Sequence, residues 1–228
     1  MNRRRLTGQV FSATAFMVIG AVAAMLLFGA GRTPSSARTP AARTVDIGFS
    51  QDMIVHHQQA VTMAQAVGGR VSAPVAQLAT GIELNQLKEI GQMQGWLSLW
   101  NAPQVPSGPP MTWMASGQDH GHGGHAAGSA AGRGRAGGDT MPGMASVQEV
   151  QRLGETKGTA ADAWFLKLMI RHHEGGLIMT TAAARAATLP QVRSLATLIT
   201  AEQRQETATM IGLLSAMGQR PLATPAHG

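Results

Sequence analysis

Two short blocks hold the side chains best suited to chemistry. Met53, His56, His57 and Met63 lie within one stretch, and Met169, His172, His173 and Met179 repeat them with the same spacing. On a helix turning roughly 100° per residue, each set occupies one arc of about 120° and presents two thioethers and two imidazoles from one face. Ala60 and Gly176 fall mid-face, where a small residue would let a partner helix or an ion approach. Thioether sulfur binds Mg, Ca or Mn poorly and Cu(I) well, while imidazole binds both copper oxidation states. With 14 methionines and no cysteine, soft ligation must use thioether and imidazole. Disulfides, thiolate sites, iron–sulfur clusters and a cysteine nucleophile are excluded.

Methionine at helical spacing is also ordinary core filler. Against that reading stands the His-His pair, because two imidazoles buried on one face are costly without partners. Glu89 and Glu206 recur at equivalent positions beside Gln86 and Met93, and beside Gln203 and Met210. They could accept a ring N–H from outside a metal's own ligands, or serve as core hydrogen-bond partners. Between the blocks lie Met111-x-x-Met114, His120-x-His122-x-x-His125 and Met141-x-x-Met144. His-rich tracts read as metal-binding, with low-complexity drift as the rival explanation. In a stretch with no evident core to fill, such ligands would act as an auxiliary, adaptive collector.

The elements that must position these residues are helices. At an offset of 116 residues, Asp46, Phe49, Met53-Ile54, His56-His57 and Met63 match Asp162, Phe165, Met169-Ile170, His172-His173 and Met179. At 117, Val75, Leu78, Ile82, Gln86, Glu89, Met93 and Leu97 match Val192, Leu195, Ile199, Gln203, Glu206, Met210 and Leu214. A helix–turn–helix unit has been duplicated. Apolar spacing mostly of three and four runs through Leu78, Ile82, Ile90, Met93 and Leu97, and through Leu195, Leu198, Ile199, Ile211 and Leu214. Gly68-Gly69 and Leu189-Pro190 break the hairpins, Asp46 and Asp162 suit N-terminal caps or first-turn acids, and Ser146-x-x-Glu149 suits a capping box on a lead-in helix ending near Gly158.

The expected fold is all-α: an antiparallel four-helix bundle of ferritin-like type, made of two duplicated hairpins joined by one long crossover. Its parts are an N-terminal anchor or signal segment (1–31), a linker (32–45), the first hairpin (46–101), a disordered Gly/His/Met-rich insert (102–145), the lead-in helix with the second hairpin (146–218) and a tail (219–228).

The sequence pI of about 11.2 suggests nucleic acid until the charges are located. Six arginines and no acid lie in residues 1–45, leaving 12 Lys/Arg against 12 Asp/Glu in the remainder. A body with no excess of positive charge cannot track phosphates, so nucleic acid is excluded as a partner. Arg3–Arg5 precede the uncharged run Val10–Phe28, whose 19 residues would span about 28 Å as a helix. We read it as a membrane-spanning anchor, with a cleaved signal peptide as the alternative. Either way the body is expected outside the cytoplasm, in the periplasm or on the outer face of the membrane.

These residues resemble the domain of unknown function 305 family. Its F-x-x-x-M-I-x-H-H-x-x-A-x-x-M block fits Phe49–Met63 fully and Phe165–Met179 with Gly176 in place of Ala, and its M-P-G-M stretch is Met141–Met144. The resemblance covers most of residues 46–217. It implies a ferritin-like four-helix bundle in exported bacterial proteins, some associated with copper binding and tolerance, and no settled catalytic activity.

The expected function is copper binding for buffering, tolerance or delivery. Copper ions are then the principal partner, Cu(I) more than Cu(II), with a copper-handling protein of unknown identity as a further one. A metal-independent structural or interaction bundle is the alternative. A di-metal oxidase fits less well, because such sites need Glu-x-x-His pairs and residues 53, 54, 169 and 170 are Met or Ile.

Overall fold

The computed structural model describes residues 42–115 and 141–222, and every regular element among them is an α-helix. In chain order these are α1 (Thr44–Ala66), α2 (Ala73–Leu99), the single turn α3 (Thr112–Ala115), α4 (Val147–Glu155), α5 (Gly158–Ala186) and α6 (Pro190–Ala216). α1 packs on α2 and α5 on α6, and the hairpins meet mainly through α1 and α5. No described helix is long and apolar enough to cross a membrane. The run Val10–Phe28 and the residues His120, His122 and His125 lie outside the described residues.

Local chemistry explains the breaks. Gly69 turns the first hairpin at φ +69°, a conformation that costs glycine nothing. Pro74 and Pro190 sit in the first turns of α2 and α6, where a missing N–H leaves no helical bond unmade. Ser146 and Glu149 close the capping box of α4, with bonds of 2.8 and 3.2 Å. Glu149 also takes a two-pronged bond from Arg171 at 2.9 and 2.7 Å, docking α4 on α5.

Asp162 is not an N-terminal cap, because α5 already starts at Gly158. Its Oδ1 accepts the backbone N–H of Ser72 at the entry to α2, at 2.8 Å. Asp46 takes Arg43 N–H on Oδ2 at the start of its own helix, and on Oδ1 the N–H of Leu189 at the entry to α6, both at 2.9 Å. Each repeat's first helix thus holds the start of the other repeat's second helix. That reciprocal bond is why the aspartate recurs.

The core forms two clusters built largely from matching repeat positions. One joins Phe49, Met53, Met93 and Leu97 to Met179, Val192 and Ile199. The other joins Phe165, Met169, Met210 and Leu214 to Met63, Val75 and Ile82. Each of these seven residues has its repeat partner in the other cluster. Leu198 and Ile211 continue the apolar period but face solvent.

Candidate metal centre

Between the clusters lie the four histidines, all at 0% exposure. They are positioned by α1 and α5, whose crossing brings the His56 and His172 rings to 3.8 Å between centroids, tilted by 34°. His173 lies 6.2 Å from His172.

Each imidazole uses Nε2 in the same way. His56 Nε2–H donates to the Pro142 carbonyl at 3.1 Å, and His172 Nε2–H to the His56 carbonyl at 3.0 Å. His57 donates to Glu89 at 2.8 Å and His173 to Glu206 at 2.7 Å. A carbonyl can only accept, so it fixes the proton of His56 and of His172 on Nε2 and leaves the Nδ1 lone pair open. All four Nδ1 atoms are buried without a hydrogen-bond partner.

Burial first, and then the charge of the neighbouring imidazoles, pushes His56 and His57 down to about 3 and His172 well below the usual histidine range. These rings are neutral at neutral pH. On the α2–α6 side, burial followed by a hydrogen bond with Glu89 raises Glu202 to about 7, and burial raises Glu89 itself. Burial of two carboxyls at that spot favours the protonated form. In the first repeat the equivalent position is Asn85, whose amide donates to Glu206 at 3.5 Å.

The methionines are divided differently from the sequence expectation. Met53, Met63, Met169 and Met179 are fully buried, but Met53 and Met63 belong to different clusters. Ten residues of helix separate them by about 15 Å, too far to share an ion. Met53 instead shares a cluster with Met179 and Met93, and Met63 with Met169 and Met210. The histidine layer is thus flanked by two mixed methionine layers, each drawn from both repeats.

The ends of the insert are part of the core. Trp113 is buried edge-on against Phe49, 5.7 Å away, and its Nε1–H shares Asp52 Oδ2 with Met111 N–H at 2.8 and 2.7 Å. Met111, Met114 and Met144 pack on the same cluster, and Met141 lies within it. Core packing therefore accounts for these four methionines too, contrary to the expectation of a stretch with no core to fill. Gln59 clamps Ala145 through both backbone groups, at 2.9 and 2.6 Å. Asp52, His56 and Gln59 lie on one face of α1, so both ends of the insert come down beside His56.

Several participants have little or no sequence signal. The carboxamides of Gln86 and Gln203 are buried with both polar atoms unpartnered; their repetition marked them, but only as neighbours of the glutamates. Gly176 is small because the Gln203 carboxamide lies over it, 2.6 Å from where a Cβ would stand. Glu202 escaped the repeat because its counterpart is Asn85. Among the described residues, no three His, Asp or Glu side chains converge as a ready-made metal cage. A surface groove of about 610 Å³ is lined by Gly48, Gln51, Asp52, Trp113 and the 106–109 loop, but by none of the histidines.

Residues 46–214 match the family described as a domain of unknown function, DUF305. No curated protein matches the chain. Among solved structures, a DUF305 protein from Streptomyces coelicolor, a candidate secreted protein by its name, is 36% identical, with a TM-score of 0.67 over 78% of this chain and 97% of its own. A DUF305 fragment from Deinococcus radiodurans is 31% identical, with a TM-score of 0.58 over 78% and 99%. CopM in its Cu(I)-bound form is 21% identical, with a TM-score of 0.54 over 75% and 96%, and its Cu(II)-bound form gives 22% and 0.53 over 75% and 97%. At that identity CopM is similar in fold.

Proposed function

The chain belongs to the DUF305 family, and on that premise we propose that it is a copper-binding protein working outside the cytoplasm. The observation that carries this reading is the set of four buried imidazoles, each with Nε2 engaged and Nδ1 without a partner. A metal-ligating histidine has that arrangement: one ring nitrogen donates to a carbonyl or carboxylate, and the other keeps its lone pair for the ion. His56, His57 and His172, held neutral, bind without first losing a proton.

We assign His56, His57, His172 and His173 as nitrogen ligands, with Met53 and Met179 on one side and Met63 and Met169 on the other as sulfur ligands. Glu89 and Glu206 orient their histidines. Among the described residues no cage of nitrogen and oxygen ligands is preformed, which suits an ion that accepts thioether sulfur at low coordination number; Cu(I) is therefore favoured over Cu(II). The fold supports the choice, since CopM, of the same fold, has been crystallised with both oxidation states. The scaffold is read as an antiparallel four-helix bundle of ferritin-like type, supported by the packing of α1, α2, α5 and α6. Export rests on the Val10–Phe28 run and on the naming of the Streptomyces relative. Met111, Met114, Met141, Met144, His120, His122 and His125 are assigned an auxiliary, weaker role.

The burial of every described candidate methionine in or against the core favours a second reading, a metal-independent bundle with the same side chains as filling. A ligand bound to the native state alone must stabilise it, by about 4 kcal/mol at a thousandfold excess over Kd. Anaerobic Cu(I) should therefore raise Tm by several degrees in circular dichroism or calorimetry. An unchanged Tm would favour the metal-independent bundle.

A further inference from the structure

We propose that the Met141–Ala145 strap is the positioning device of the centre: it fixes His56 with its proton on Nε2 and its lone pair on Nδ1, and Gly175 is the residue that lets it seat. The inference rests on the reading of His56 as a ligand and extends it to the backbone that orients the ring.

Four contacts hold the strap. Its Pro142 carbonyl accepts from His56 Nε2 at 3.1 Å. Gly143 adopts φ +79° against the backbone of Arg171 and His172, with no room for a Cβ. A Cβ on Gly175 of α5 would collide with the Pro142 carbonyl group and stand 2.7 Å from Gly143 N. Gln59 completes the fixation through its paired bonds to Ala145.

The consequence is specific to one histidine. His172 takes its orientation from a helix carbonyl, His57 and His173 theirs from carboxylates on α2 and α6. His56 alone among the four depends on a segment outside the long helices. If the strap lifts, Nε2 loses its acceptor and the proton is free to move to Nδ1, which removes the lone pair offered to the ion. Glycine costs a helix interior relative to alanine, so Gly175 is explained by the strap and not by α5.

The test uses the full chain in detergent, with 15N-labelled histidine and a His56→Gln variant to assign the His56 ring signals. The parent should show Nε2 protonated at His56. In Gly175→Ala, which displaces the strap, and in Gln59→Leu, which releases it without touching α5, His56 should become a tautomer mixture while His172 keeps Nε2–H. The Cu(I) dissociation constant should rise about tenfold or more. Finding Nδ1–H at His56 in the parent, or an unchanged His56 tautomer in both variants although Gly143 backbone shifts report a moved strap, would overturn the proposal. A changed tautomer with unchanged Cu(I) affinity would uphold the strap's role and sink the assignment of His56 as a ligand.

Discussion

What each bundle imidazole can do is decided by the atom that meets its Nε2. Carbonyls of Pro142 and His56 meet His56 and His172, and the carboxylates of Glu89 and Glu206 meet His57 and His173. Removing one carboxylate, as in Glu89→Ala or Glu206→Ala, should weaken Cu(I) binding 10- to 100-fold in chelator competition. Unchanged affinity would mean that the ring is not a ligand. The same burial sets a pH dependence. A histidine depressed from 6.5 to about 3 contributes stability above pH 6.5 and loses it as pH falls towards 3. Glu202, raised from 4.5 to about 7, works the other way, contributing below 4.5 and losing it as pH rises through 7. His56, His57 and His172 together outweigh Glu202 and Glu89. Metal-free Tm should therefore be highest between about pH 6 and 7, fall gently to 4.5, and fall steeply below it as the carboxyl contributions level off. A flat Tm from pH 7 to 4 would show that the rings are not held neutral. Residue identity was legible in the sequence because the pair recurs. Tautomer and orientation were not, because they depend on Pro142, a carbonyl 86 positions along the chain from His56.

The helices were read from period and repetition, and the same information shows where reading fails. Gly69, Pro190 and the Ser146–Glu149 box act locally, and their positions carried over to the structure. Asp162 acts at a distance, so a local rule placed it as a cap or first-turn acid when it holds the start of α2. The insert's ends looked coreless because their partners, Phe49, Asp52 and Gln59, lie on α1. The reciprocal aspartates make a prediction at this scale. Asp46→Ala strands the backbone N–H groups of Leu189 and Arg43, and should cost about 3 kcal/mol in urea denaturation. Asp162→Ala strands one such group and should cost about 2 kcal/mol. Costs below about 0.5 kcal/mol would contradict the reciprocal hold.

At the scale of the molecule, duplication places one histidine layer where two copies of a hairpin meet, with a methionine layer from both copies on either side. The sequence presents two Met-His-His-Met faces; the crossing of α1 and α5 brings His56 and His172 together and the two methionines of each face fall in different clusters. A merged centre and a tethered collector should behave differently. Changing His120, His122 and His125 to Ala should remove weakly held Cu(I) and leave the tight component intact in the same titration. Loss of the tight component would move the site to the insert. The most direct measurement is anaerobic Cu(I) titration of the chain against a chelator of known affinity, beside a variant with His56, His57, His172 and His173 changed to Ala whose helicity is checked by circular dichroism. The account predicts tight binding by the parent and its loss in a folded variant. Equal binding by both would contradict it and leave the four buried histidines as structural residues.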